Sequence, residues 1–408
     1  MTVLVSTTER LASVSLFSGA GGLDLGLEDE GFTTGVFVEV NRDCGATLEA
    51  NRSLFRAPLA PILGDITTLS AEDVLGAAGL SRGEVALVAG GPPCQSFSTA
   101  GRRASVCDPR GSLFNDFVRM VEGIQPRFFV LENVRGILSA ALKHRPLHLR
   151  GGSNPPLQDD EELGSFLRKL VLPALRERLG YEVVYGLVNA ADYGVPQMRR
   201  RTLFIGSRDR ELGSLGCWPE EMPLTEIMPP THGAAPGLEP WPTLGDALRG
   251  LVEKRPEFVR YSAGREAVLK LVPPGKNWRH LRDTRGDGFL REVMGGAYDA
   301  GGGKVGFWRR LSFDKPSPTV PASPIQKGTC LCHPVRTRPL TVREYARVQQ
   351  FPDDYVLTGS VSAKYTQIGN AVPVGLARAI GRALRRIMAG TERTSRRDVA
   401  HTGAAARS

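Results

Sequence analysis

Cysteine is scarce in this chain. Six occur in 408 residues, at positions 44, 94, 107, 217, 330 and 332. They are too few and too scattered for a disulfide framework, so a reducing compartment is expected. "CLCH" brings Cys330, Cys332 and His333 together, but no second pair at zinc-ligand spacing follows. No metal site is expected. No apolar run approaches the length of a membrane span. The opening "MTVLVSTTERLASVSLFSGAGG" has no basic segment ahead of an apolar one, so no secretory signal is expected. Internal repeats are absent. Acidic residues are outnumbered, 43 Asp and Glu against 52 Lys and Arg, for a net charge of +9. That excess favours a polyanionic partner such as nucleic acid. The length predicts about two domains.

What is present alternates between strand and helix. "SVSLF" (13–17), "GVFVEVN" (35–41), "VALVAGG" (85–91) and "RFFVLENV" (127–134) predict buried strands. "YEVVYGLVNA" and "RRTLFIGSRD" predict two more. Between them, "RDCGATLEANR", "LFNDFVRMVEGIQP" and "LGSFLRKLVLPALRERLG" predict helices, and "LGDIT" (63–67) a loop with an exposed aspartate. This alternation predicts an α/β fold with a mostly parallel sheet covered by helices on both faces. In such sheets ligands bind at the carboxyl ends of the strands. Glu39, Asp65, Cys94 and Glu132 each follow an apolar stretch and should gather along that edge.

From 207 to 337 the texture changes to dense Pro and Gly, with Arg and Lys beside aromatics in "GKNWRHLRD" and "GFWRRLSF". A second, loop-rich domain poor in helix is expected there. Helical pattern returns in "RPLTVREYARVQQFP" (338–352) and "GLARAIGRALRRIMAG" (375–390). Residues 391–408 lack a core pattern and are expected to be a disordered tail.

Four stretches carry chemistry. "FSGAGG" (17–22) follows a strand and opens a helix, where glycines let a ligand approach the backbone. Its spacing is not the GxGxxG dinucleotide fingerprint. Glu39 can accept from ribose hydroxyls and Asp65 from an adenine amine, which together suggest an adenosine-containing cofactor. "GGPPCQSFS" (90–98) stops a strand on two prolines and presents Cys94 on a rigid turn. A thiolate there would be a nucleophile. Glu132, ending a buried strand, can carry a proton when partly desolvated. "QMRRR" (197–201) puts Arg199 and Arg201 on one side of an extended segment, able to bind a carbonyl oxygen or phosphate.

In this order the stretches resemble the DNA (cytosine-5)-methyltransferases. The resemblance runs through "FSGAGGLDLGL", Glu39, "GDI", "GGPPCQSFS", "RGSLF" (110–114), "ENV" and "QMRRR", then "RPLTVREYARVQQFP" and "QIGNAVP" (367–373). It covers about residues 13–206 and 336–390, and as family context it implies the modification half of a bacterial restriction–modification system or an orphan relative. It implies a Rossmann-like S-adenosylmethionine-dependent methyltransferase domain over 1–206, completed by 338–390. A target-recognition domain would occupy 207–337. It further implies methyl transfer to carbon 5 of a cytosine flipped out of a specific duplex sequence, through a covalent adduct with Cys94.

Residue roles follow from the same resemblance. Glu132 would contact the base's ring nitrogen and amine, Arg201 its carbonyl oxygen, and Arg199 would fix the active-site loop. Phe17 would pack on the adenine, with Ser18, Gly19, Gly21 and Gly22 forming the cofactor loop. Glu39 and Val40, Asp65 and Ile66, Pro93, Leu113, Asn370 and Val372 would complete the S-adenosyl-L-methionine site. Val40 is aliphatic where some members place an aromatic. Residues 95–112 resemble a mobile loop that closes on the flipped base. Gln95, Ser98, Arg102 and Arg103 there, with Gln197, Lys276, Arg279, Arg309 and Arg310, are candidate DNA contacts. Trp278 and Trp308 are expected to pack in a core.

The implied partner is double-stranded DNA, beside a cognate restriction endonuclease, for a monomer in the bacterial cytoplasm associated with the nucleoid. A tRNA cytosine-5 methyltransferase is the alternative. A silent DNA-binding protein does not explain Cys94, Glu132, Arg199, Arg201 and Asn370 together. A nicotinamide oxidoreductase does not fit the glycine spacing. The insert at 143–162 matches no motif, and the target sequence is not legible.

Overall fold

Among the described residues there are nine strands: β1 (Leu11–Leu16), β2 (Phe32–Val38), β3 (Ile62–Leu63), β4 (Leu87–Gly90), β5 (Phe128–Val134), β6 (Glu182–Asn189), β7 (Gln197–Met198), β8 (Arg200–Ser207) and β9 (Ser317–Pro318). The computed structural model describes residues 11–93, 113–143, 145, 149–151, 154–215, 223–299 and 305–405, with the backbone alone for 214, 215, 327 and 391–405. Seven strands make one sheet in the order β3-β2-β1-β4-β5-β8-β6. β1 to β5 run parallel, and β8 lies antiparallel between β5 and β6. The fold is therefore the mostly parallel α/β sheet that the sequence predicts. β7 and β9 form a separate parallel pair.

The helices are α1 (Gly22–Asp29), α2 (Arg42–Ala50), α3 (Ala71–Ala78) and α4 (Leu113–Ile124), then α5 (Leu224–Ile227), α6 (Leu244–Leu248), α7 (Ala263–Lys270), α8 (Trp278–Met294) and α9 (Gly296–Asp299), and finally α10 (Val342–Val348), α11 (Val361–Asn370) and α12 (Val374–Ala405). Side chains alternate along each strand, so both sheet faces are apolar and both are covered. Val88, Phe129 and Leu131 face α3, α4 and the helical turns of 167–178. Leu87, Ala89, Phe128 and Val130 face α1 and α12. The strand order reverses between β1 and β4, which opens a crevice at their carboxyl ends. Gly90 permits that pairing: a Cβ there would sit 2.5 Å from the Leu16 carbonyl oxygen.

Two expectations need correction. The stretch 207–337 is not poor in helix. It holds α5 to α9, including α8, which bends at Gly286 (φ 78). α8 escapes a periodicity search because only Leu281 and Leu290 are buried among its many charges. Trp278 and Trp308 do pack against the small apolar cluster there. At the other end, α12 continues through 391–405, where a disordered tail was expected. Among the described side chains, the last to enter the core are Ile387 and Met388.

Candidate functional site

The chain leaves β1 in a loop that only glycine-rich sequence tolerates. Phe17 (φ 55), Gly19 (φ 56) and Gly21 (φ 71) all adopt left-handed backbone. For Phe17 that conformation is strained, as is common where a ligand is clamped. Gly21 caps α1 without a side chain. A Cβ on it would lie 2.9 Å from Leu48 and 3.1 Å from the Tyr355 hydroxyl.

Glu39, just past β2, fixes this loop. Its Oε2 accepts from the Gly19 N–H at 2.7 Å and its Oε1 from the Asn41 N–H at 2.7 Å. Each carboxylate oxygen retains a further lone pair for a ligand donor. Asn41 then caps α2 by accepting from Cys44 N–H at 3.0 Å. Asp65 caps the short turn Ile66–Thr68; its Oδ1 accepts from Thr67 N–H (2.9 Å) and hydroxyl (2.8 Å). Those bonds hold the Asp65 carboxyl below its usual range.

β4 delivers Pro92 and Pro93, and β5 delivers Glu132 and Asn133. Asn133 Nδ2 donates to the Pro92 carbonyl at 3.4 Å. Glu132 is buried at 8% exposure, with Arg201 Nε 2.8 Å from its Oε1. That contact is an ion pair without hydrogen-bond alignment, since Oε1 has no aligned donor. Gly91 leaves space beside the carboxyl: a Cβ there would lie 3.1 Å from Glu132 Oε2.

Arg199 is 1% exposed and donates to the carbonyls of Val320 (3.3 Å) and Gly369 (3.0 Å). Burial, then the neighbouring Arg201, disfavour its charge, and Glu132 opposes them. It thus ties Val320, in the 207–337 region, to the last turn of α11. Gln197 joins the same network. Its Nε2 donates to Gln349 Oε1 at 2.7 Å, and its Oε1 accepts from Val320 N–H at 2.9 Å. Gln349 in turn donates to the carbonyls of Ile368 and Ala371.

These groups converge on one cavity of about 630 Å³. Every expected cofactor residue lines it except Gly21, which sits beneath the loop. Phe17, Ser18, Gly19, Gly22, Glu39, Val40, Asp65 and Ile66 line it together with Pro93, Leu113, Glu132, Arg199, Arg201, Asn370 and Val372. The size is that of a small-molecule site. Cys94, Gln95, Ser98, Arg102 and Arg103 lie outside the described residues.

Two expected DNA contacts are instead structural. Gln197 is fully buried in the network above. Arg310 is 5% exposed and spends its guanidinium on the carbonyls of Val272, Leu269 and His333. Neither can reach a duplex without dismantling its surroundings. Arg309 is half-buried, with Nε on the Cys330 carbonyl at 3.1 Å. Lys276 and Arg279 are exposed around a surface hollow at the start of α8.

Several wall residues were not expected from the sequence, among them Thr366, Asp24 and Cys44. Thr366 comes from α11, one residue before the "QIGNAVP" stretch that supplies Asn370. Asp24, in α1, is 2% exposed and also lines the cavity. Burial lifts its carboxyl to about 7, with Glu28 adding to the rise and the Ser15 hydroxyl opposing it. Cys44 lines the wall too. Burial, then Glu39 and Asp43, push its thiol up to about 12, so it stays protonated and unreactive.

Comparison with known proteins agrees with this geometry. A family model described as C-5 cytosine-specific DNA methylase matches residues 11–386. Type II methyltransferase M.Sau96I of Staphylococcus aureus is 36% identical over 368 residues, covering 90% of this chain and 74% of its own. Type II methyltransferase M.Eco47II of Escherichia coli is 35% identical over 378 residues, covering 91% and 78%. Among solved structures, a prophage-encoded Escherichia coli protein described as a DNA modification methyltransferase superposes with a TM-score of 0.60 at 25% identity, covering 93% of this chain and 99% of its own. A DNMT2 from Spodoptera frugiperda shares the fold at a TM-score of 0.57 and 16% identity, covering 91% and 99%.

Proposed function

The chain belongs to the C-5 cytosine-specific DNA methylases, matched over residues 11–386, and on that footing we propose that it methylates one short duplex sequence as the modification half of a restriction–modification system. The Type II names of its relatives support that context. The observation that carries the reading is the single cavity. It joins the glycine loop, Glu39 and Asp65 to Pro93, Glu132 and Arg201, so a methyl donor and a target base would meet in one enclosure. We take the enzyme to act as a monomer on DNA in the cytoplasm.

S-adenosyl-L-methionine supplies the methyl group from its sulfonium. The cavity fits that molecule: Glu39 can accept from ribose hydroxyls, Asp65 from the adenine amine, and Phe17 offers an aromatic wall. On the base side, a duplex would surrender one cytosine into the cavity. The Cys94 thiolate adds to carbon 6 of the ring, forming a carbon–sulfur bond. Carbon 5 becomes nucleophilic and takes the methyl group. Loss of the carbon-5 proton to a base then breaks the bond to Cys94. Glu132 presents its buried carboxyl to the ring nitrogen and amine and favours the protonation that eases thiolate attack. Arg201, paired with it, holds the carbonyl oxygen. Arg199 helps to fix the active-site loop.

Expression in a host without cytosine methylation, beside Cys94→Ser, tests the proposal. Bisulfite sequencing of the host genome should show protected cytosines in one short motif with the intact protein and none with the variant. Both proteins should bind S-adenosylhomocysteine. Protection that persists in Cys94→Ser removes the thiol from the mechanism. Absence of protection with a soluble, cofactor-binding protein removes duplex DNA as the substrate.

A further inference from the structure

The cavity contains a carboxylate that the mechanism above does not use. Asp24 is 2% exposed, lines the wall, and has no hydrogen-bond partner at Oδ2. A buried acceptor without a donor is costly, and the residue that carries it lines a ligand cavity. The groups around it do not balance a negative charge. On α1, Glu28 lies one turn further along; from β1 comes only the Ser15 hydroxyl. From the loop beyond α10, Tyr355 approaches, with its hydroxyl donating to the Ala20 carbonyl at 2.7 Å. A cation with N–H donors is the ligand this wall lacks.

The methyl donor assigned to this cavity carries such a group at its amino-acid end. Glu39 and Asp65 stand beside β2 and β3 and suit the adenosine. Asp24 stands across the glycine loop, on α1 with Gly22 and Leu23. We infer that Asp24 binds the α-ammonium group of S-adenosylmethionine through its carboxylate. This rests on the cofactor reading above and assigns a residue to one end of it.

Calorimetry with two ligands separates the outcomes. S-adenosylhomocysteine carries the ammonium; 5′-methylthioadenosine keeps the adenosine and thioether but has no amino-acid end. At pH 8, Asp24→Asn should weaken S-adenosylhomocysteine roughly ten- to a hundred-fold, the range of a charge-assisted hydrogen bond. It should leave 5′-methylthioadenosine unchanged, which also shows that the variant is folded. The unaltered protein gives a second readout. Lowering the pH from 8 to 6 protonates Asp24 and should weaken S-adenosylhomocysteine about ten-fold, with 5′-methylthioadenosine flat. Equal loss for both ligands, or none for S-adenosylhomocysteine, overturns the assignment while the cofactor reading stands. An unaltered protein that binds neither ligand overturns both.

Discussion

A carboxylate kept in a ligand cavity at the expense of the fold is the clearest residue-scale feature here. Asp24 titrates near 7 because burial disfavours its anion. In the unfolded chain an aspartate titrates near its ordinary value of about 3.9. Below that value both states are protonated and the fold carries no penalty. As pH rises toward 7 the unfolded state ionises first, so stability falls; above 7 the loss is complete. A shift of this size is on the order of a few kcal/mol. Asp24→Asn removes it. Thermal melts without ligand should therefore show the variant more stable than the unaltered protein at pH 8 and equal to it near pH 4. Equal melting at both would mean that the buried carboxyl is relieved by another group. Asp24 also shows what the sequence does not reveal. Glu39, Asp65 and Glu132 were legible because each follows an apolar run in an alternating fold. Asp24 lies in "LDLGLED", where an acid in the first turn of a helix is ordinary. Gln197 and Arg310 were misread for the converse reason: their residue types suit DNA, and only tertiary packing buries them.

At the scale of elements, the cofactor loop is held by how closely α1 approaches α12. Gly22 and Gly26 make that approach. A Cβ on Gly22 would lie 2.5 Å from the Val372 carbonyl oxygen. One on Gly26 would lie 2.3 Å from the Val374 carbonyl oxygen and 2.5 Å from the Ala377 Cβ. Two effects oppose each other in Gly26→Ala. Alanine favours the helix by about 1 kcal/mol over glycine. Overpacking costs about 1–3 kcal/mol, and here the obstacle is backbone, which cannot rotate aside. Overpacking should win, lowering the melting temperature by a few degrees. It should also weaken S-adenosylhomocysteine binding, because α1 carries the loop. A melting temperature that rises would mean that α12 shifts freely. The six longer strands and α1, α2, α4, α10 and the first turns of α12 were legible from periodicity, whereas the two-residue strands β3, β7 and β9 were not. α8 was not, because its charges leave only two core residues. α11 was not, because its apolar partners come from distant segments.

The whole molecule closes by bringing the end of the chain back to its beginning. α12 covers α1 on one face of the sheet, and α11 walls a cavity whose other residues include the β1 loop, Glu132 and Arg201. The Gln197–Gln349 and Arg199–Gly369 hydrogen bonds lock that return beside Glu132 and Arg201. The segment after residue 338 therefore packs on elements formed before residue 206. The energetics can be weighed. Leu376, Ile380, Leu384 and Ile387 are each at most 1% exposed. At about 1.5–3 kcal/mol for each buried side chain, they contribute on the order of 10 kcal/mol. That equals the net stability of a typical domain. A chain ending at residue 373 should therefore fail to fold, with no cooperative melt and no S-adenosylhomocysteine binding. A chain ending at 390 keeps all four side chains and Met388. It should melt within a few degrees of the full-length protein and bind the ligand equally. Loss of binding in the 1–390 chain would show that residues 391–408 belong to the fold, and that the core of α12 extends beyond Met388.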